Sequence, residues 1–172
     1  MSYKILIING PNLNMLGTRE AGIYGRDTLN ELVSLAAGRD YGVKIKAESF
    51  QSNHEGALID KIQNDAEKYD LIIVNAGGLT HTSVSLRDAF LSVKTPFVET
   101  HITNIFTREQ FRRISLLSDA AAAVISGGGR LAYALAIEAG IEFLRAKASK
   151  KLERQKTLPE KKPLKIKKKF SR

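Results

Sequence analysis

Apolar residues along this chain fall into two patterns that take turns. Short, nearly unbroken runs occur at Tyr3–Ile8 and Asp70–Val74, and shorter ones at Thr95–Glu99 and Ala120–Ser126. Such runs, bounded by polar or glycine breaks, mark strands buried on both faces. A further strand, Val43–Phe50, alternates and is therefore expected to be less buried than the first, and Asp70–Val74 is expected to be central. Between the runs, apolar residues recur three and four apart, the spacing of a helix packed on one side. The first helix begins with Asp27 or Thr28 as cap and turns Leu29, Leu32, Val33, Leu35 and Ala36 inward, ending near Tyr41-Gly42. Ser52 or Asn53 caps a second, with Leu58, Ile59 and Ile62 inward. Ser83–Ser92 and Arg108–Leu117 read as helices, and Gly127–Gly140 opens a last one that runs to about Lys147.

Strand and helix thus alternate five times, which implies a parallel sheet covered on both faces by right-handed crossovers. The natural arrangement is α/β, a flavodoxin-like three-layer sandwich with strand order 2-1-3-4-5; an incomplete dinucleotide-binding fold is the alternative. Residues 1–147 are expected to form one flavodoxin-like domain. The pattern stops at about Ala148, so 148–172 is expected to be a basic, flexible tail.

Charge sharpens that boundary. The 172 residues carry a net +9, but residues 145–172 hold 13 Lys or Arg against 2 Glu, which leaves residues 1–144 at −2. Basicity therefore belongs to the tail, where it suits nucleic acid or another polyanion, and not to the body. The absence of cysteine excludes disulfides and thiolate metal sites. The apolar run in MSYKILIING is too short for a signal peptide, and no stretch is long enough to span a bilayer, so a cytoplasmic protein is expected.

In open α/β sheets the ligand crevice lies beyond the carboxyl ends of the strands. Asn12, Arg19 and Tyr24 follow strand one, and Gln51 and Asn53 strand two. Asn75, Thr80, His81, Thr82 and Ser83 follow strand three, while Glu99, His101, Thr103 and Asn104 follow strand four, with Arg112 just beyond. Amides for hydroxyls, arginine for a carboxylate and histidine for proton transfer suit a hydroxylated carbonyl acid. A phenol is a poor base at neutral pH, but a nearby guanidinium favours the phenolate. Tyr24 with Arg19 is thus a candidate base, His101 a candidate acid and Glu99 its orienting group. Each also has a structural use. Tyr24 can simply pack, His81 can cap a helix, and His101 can be a satisfied buried histidine. Gly127–Gly129 can hold a phosphate or permit close packing.

Taken together, the segments resemble type II 3-dehydroquinate dehydratases. The matching motifs are NGPNLNML at Asn9–Leu16, then Arg19 and Tyr24, FQSN at Phe50–Asn53, NAGG at Asn75–Gly78 and THTSV at Thr80–Val84. Arg87-Asp88-Ala89, Glu99 with His101–Asn104, Arg108-Glu109, Phe111-Arg112, Ser115, Ser126–Gly129 and Tyr133 complete the match over about 5–140. The resemblance implies loss of water from 3-dehydroquinate through an enolate, with no metal or organic cofactor and no imine. It implies that Tyr24 takes the C2 proton, Arg19 steadies the developing charge, Asn12 helps hold the enolate, and His101 protonates the departing C1 hydroxyl with Glu99 behind it. Asn75, His81, Ile102, Thr103 and Arg112 would bind substrate. Asp88 would reach a neighbouring subunit's site in a dodecamer built of trimers, and the loop 19–26 would close as a lid. Leu79, Ala76 and Thr103 depart from the family's usual residues, and none of the three is a proton-transfer group. Two rival readings are a flavodoxin-like nucleotide or flavin module and a nucleic-acid binder using the tail. The first expects a short Ser/Thr- or Gly-rich loop after strand one, where this chain has a long one with Pro11.

Overall fold

Ile5, Leu6, Ile7 and Ile8 are all fully buried. Side chains alternate along a strand, so this one run feeds two cores. Ile5 and Ile7 pack with Leu71, Ile73 and Val98, whereas Leu6 and Ile8 pack with Ile72 and Val74. At roughly 1.5–3 kcal/mol per buried side chain, such a strand is fixed in register by burial alone. The computed structural model describes residues 2–18 and 26–157. Its five strands are β1 (Ser2–Asn9), β2 (Lys44–Gln51), β3 (Leu71–Asn75), β4 (Phe97–His101) and β5 (Ala123–Ser126). All neighbours are parallel, and the order is β2-β1-β3-β4-β5, as expected for a flavodoxin-like sheet. Helices α1 (Leu29–Ala37) and α5 (Ala132–Thr157) cover one face. Helices α2 (Glu55–Asp65) and α4 (Val84–Ser92) cover the other, and α3 (Leu79–Thr82) is a single turn before α4.

Local signals set most boundaries. Thr28 caps α1 in a reciprocal box with Glu31: its hydroxyl accepts from Glu31 N, and the Glu31 carboxylate accepts from Thr28 N at 2.7 Å. Ser83 caps α4 by accepting from Leu86 N at 2.8 Å. Leu35 lies at the border of the inward arc of α1 and is exposed, in contrast to its expected inward place.

Other expectations fail for identifiable reasons. Neither Ser52 nor Asn53 caps α2; His54 holds that place without a side-chain bond. The Asn53 carboxamide oxygen instead accepts from Asn12 N (2.9 Å) and Gln51 Nε2 (3.1 Å), and the Ser52 hydroxyl accepts from His54 N. The fourth strand begins only after Pro96, which has no N–H for the ladder, and runs two residues past its expected end at Glu99, so His101 is a strand residue and not a loop residue. No continuous helix spans Arg108–Leu117. One 3-10 turn, Gln110–Arg112, stands there, preceded by another at Ile105–Thr107, because Leu116 N is bonded to Thr80 O and the Ser115 hydroxyl takes the N–H groups of Leu117 and Ser118. The last helix starts at Ala132 and runs to Thr157, well past Lys147.

Tyr133 locks the carboxyl edge of the sheet. Its buried hydroxyl donates to Asn9 Oδ1 (2.5 Å) and accepts from Asn75 Nδ2 (3.2 Å), tying α5 to the ends of β1 and β3. Burial pushes this phenol well above its ordinary value, against a smaller opposing effect of the Asn75 bond. The folded chain therefore keeps a proton that the unfolded chain loses near pH 10. The resulting stability is complete below that pH and is lost as pH rises toward the folded value. Tyr133→Phe is expected to cost about 1–3 kcal/mol at neutral pH by orphaning Asn9 and Asn75. It should also flatten the fall of stability above about pH 10. Tyr41, pushed up to about 12 by burial, and Tyr69, pushed up to about 12 by its bond to Glu48, keep a residual slope. Urea melts at several alkaline pH values check this; equal slopes for the variant and the parent would contradict it.

Candidate active site

Strands β1 and β3 lie side by side, and the loops that follow them meet at close range. A Cβ on Gly10 would stand 2.2 Å from Ala76 O, so only glycine lets the two turns cross here. The crossing forces Asn12 into the left-handed region (φ 68), a conformation that costs a non-glycine residue energy. Asn53 compensates through its bond to Asn12 N. Sequence places both asparagines at this edge; that the second braces the first is visible only in three dimensions.

Beyond these loops lies a cleft of about 330 Å³, a size suited to a small molecule. Asn12, Asn75, His81, His101, Ile102, Thr103 and Arg112 line it together, from four different segments of chain. Arg108 also lines it and donates to Thr103 Oγ1 at 2.7 Å. Arg108 was absent from the residues singled out as site candidates on the sequence. Its spacing of four from Arg112 was the available signal. Arg112 itself sits on the second 3-10 turn, paired with the Glu109 carboxylate at 3.0 Å. Thr80 is buried beneath the cleft and does not line it.

Behind the cleft stands a buried polar chain. Glu99 and His101 are two apart on β4, so they share a face of the strand. Glu99 is fully buried, and its carboxylate accepts from His101 Nε2 at 2.8 Å and from the Ser115 hydroxyl at 2.8 and 3.0 Å. Ser115 is held in turn by the N–H groups of Leu117 and Ser118. The carboxylate thus fixes one ring nitrogen of His101, and Nδ1 is the nitrogen left to exchange a proton with a bound molecule. His81 Nδ1 lies 2.7 Å from Ile114 O. A carbonyl can only accept, so Nδ1 carries the hydrogen and Nε2 is the nitrogen free for other contacts.

The remaining candidates divide clearly. Arg19 and Tyr24 lie outside the described residues. Asp88 is exposed on α4 and does not line the cleft of its own chain. The glycine run at 127–129 presents no phosphate cradle: Gly127 N donates to His101 O (3.2 Å) and Gly129 N to Ile102 O (2.8 Å), so these amides back the β4 loop. His54 stays apart, at the start of α2. Among the described residues no helix is long and apolar enough to cross a membrane.

A flavodoxin-like sheet with an acid–imidazole pair at its carboxyl edge, facing amides and guanidinium groups, defines an enzyme acting on a small polar molecule. More narrowly, the chain belongs to the class II dehydroquinases: the family model described as "Dehydroquinase class II" matches residues 3–141. It is 54% identical over 141 residues to the 3-dehydroquinate dehydratase of Prochlorococcus marinus subsp. pastoris, covering 82% of this chain and 97% of that one. It is 49% identical over 147 residues to the catabolic 3-dehydroquinase of Verticillium alfalfae, covering 86% and 98%. Among solved structures, the type II dehydroquinase of Butyrivibrio crossotus superposes with a TM-score of 0.76 at 42% identity, covering 84% of this chain and 98% of that one.

Proposed function

We propose that this chain dehydrates 3-dehydroquinate to 3-dehydroshikimate through an enolate. The observation that carries this reading is the Ser115–Glu99–His101 chain: a buried carboxylate aims an imidazole into a cleft already lined by amides and arginines. In the proposed sequence, Tyr24, made a workable base by Arg19, takes a proton from C2. The electron pair moves to the carbonyl oxygen, and donors placed for that charge, Asn12 among them, stabilise the enolate. Collapse of the enolate expels the C1 hydroxyl. His101 gives it a proton, so the leaving group departs as water, and Glu99 stabilises the ring while its charge changes. Asn75, His81, Ile102, Thr103 and Arg112 hold the substrate's hydroxyls and carboxylate. The loop 19–26 closes over the site and excludes water. Mixing purified protein with 3-dehydroquinate should produce enone absorbance, and a flat trace would refute the reading. Borohydride added with substrate should leave activity intact, because no imine forms; a trapped adduct would point to another chemistry.

Assembly, location and pathway follow the same reading. Asp88 completes the cleft of a neighbouring copy within a trimer, trimers build a dodecamer, and the enzyme works in the cytoplasm on the shikimate route to aromatic amino acids. Quinate breakdown is the other context of this step. Expression induced only by quinate would favour that context.

Ser115 has a definite task in this scheme, as a positioning residue. Ser115→Ala removes a donor from a fully buried carboxylate, a loss of about 1–3 kcal/mol at that group. The account predicts a fall of about 10–100-fold in kcat with KM nearly unchanged, and recovery in Ser115→Thr. A rise in KM at constant kcat would place Ser115 in substrate binding instead.

A further inference from the structure

Among the described residues, Asn12 is the one residue other than glycine with a positive φ, and it lines the cleft. Two close crossings bend the chain there. Gly10 passes under Ala76 O, and a Cβ on Gly77 would stand 3.0 Å from Pro11 O, so the loops after β1 and β3 touch at two successive residues. Proline also fixes φ at position 11. The chain is left with a left-handed turn at Asn12, which asparagine adopts more readily than most residues that carry a side chain.

This turn opens the 3-10 segment Leu13–Met15, and Asn12 O accepts from Met15 N at 3.1 Å. An asparagine at the start of a helix commonly folds its side chain back to cap it. Asn12 makes no such bond, so its carboxamide is left to the cleft while its backbone carries the turn. The Asn12 N–H donates to Asn53 Oδ1 at 2.9 Å. A backbone N–H can only donate, so this contact fixes which way the Asn53 carboxamide faces. Gln51 Nε2 donates to the same oxygen (3.1 Å) and to Gly10 O (3.3 Å). Gln51 is the last residue of β2 and pairs with Asn9 at the end of β1, and Ser52 N donates to Asn9 O at 3.0 Å. The hold on Asn12 is therefore anchored in the sheet. Neither Gln51 nor Asn53 lines the cleft.

We propose that Asn53, steadied by Gln51, is a positioning residue. It holds Asn12 in the left-handed turn from which the Asn12 carboxamide meets the charge that develops in the cleft. This role rests on the proposed enolate reaction. Stabilising a developing charge depends on donors fixed in place beforehand, so a loosened donor costs most in the transition state. Without Asn53 the Asn12 N–H turns to water and the turn is free to relax. The effect then falls on kcat and not on KM.

The test is steady-state turnover of 3-dehydroquinate by the full chain, followed by enone absorbance. Asn53→Leu, close in size but without an acceptor, should lower kcat about 10-fold with KM nearly unchanged, the size expected of one hydrogen bond. Asn53→Asp keeps an oxygen for both donors and should stay within about threefold of the parent, its exposed charge being screened by salt. Asn12→Gly suits φ 68 and removes the carboxamide. In that background Asn53→Leu should change kcat by less than about twofold, whereas a residue that only stabilises the fold would cost the same factor in both. Parental kcat in Asn53→Leu, a loss carried wholly by KM, no recovery in Asn53→Asp, or an equal loss in the Asn12→Gly background would each overturn the role. A parent that forms no enone would refute the reaction itself, so the two failures are told apart.

Discussion

Tyr24→Phe is expected to leave the chain folded and to lower kcat about 10²–10⁴-fold, the range supplied by a positioned proton-transfer group. The substitution removes one oxygen and keeps the ring, so thermal unfolding should be unchanged. KM should move little, since the proposed scheme gives the hydroxyl and carboxylate contacts to Asn75, His81 and Arg112. Arg19→Ala should cripple the same step by a different route. Without the guanidinium the phenol reverts toward its free value of about 10, so residual activity should climb as pH is raised. A Tyr24→Phe enzyme running at near-parental rate would remove the proposed base from the scheme.

The second large effect is expected at His101. His101→Ala should cut kcat about 10²–10⁴-fold, because the C1 hydroxyl then has to leave without a proton. It should also destabilise the chain, because Glu99 is fully buried and, among the described residues, keeps only the Ser115 hydroxyl as a donor. Leaving a buried acceptor short of a donor typically costs about 1–3 kcal/mol. His101→Gln offers a control: an amide can still donate to Glu99 while being unable to act as an acid. The account predicts that this variant melts closer to the parent than His101→Ala and is equally slow. Stability restored together with activity would mean that the imidazole serves architecture rather than proton transfer.

How much of this was legible beforehand varies with the physics of each element. The central place of β3 followed from burial, because Leu71–Val74 has no polar face to turn toward water, and the strand order followed from the fivefold alternation of strand and helix taken as a flavodoxin-like arrangement. The cap at Thr28 was equally readable, being a local hydrogen bond between residues three apart, whereas Ser83, read as the first residue of its helix, turns out to cap it. The segment after β4 was not. Arg108–Leu117 has a helical look, yet Ser115 spends its hydroxyl on Glu99 and two following N–H groups, and Leu116 N goes to Thr80 O. Those partners lie 16 and 36 residues away, beyond any local pattern. The same holds for Asn53, whose apparent role as a helix cap gave way to bracing Asn12 across 41 residues. Tyr133 shows the limit most clearly: its bond to Asn9 spans 124 residues, and only the closed sheet brings the two together. Topology alone placed Asn12, Asn75, His81 and Thr103 at the edge where the cleft lies, whereas the partners that brace their neighbours came from the tertiary fold.

The central claim is a division of labour, with Tyr24 removing the C2 proton and His101 releasing the C1 hydroxyl. Proton NMR of 3-dehydroquinate in deuterium oxide with the His101→Ala enzyme tests it most directly. The account predicts that deuterium enters C2 of unreacted substrate faster than product forms, and that Tyr24→Phe abolishes this exchange. Exchange at the parental rate with Tyr24→Phe, or none at all with His101→Ala while elimination proceeds, would contradict it.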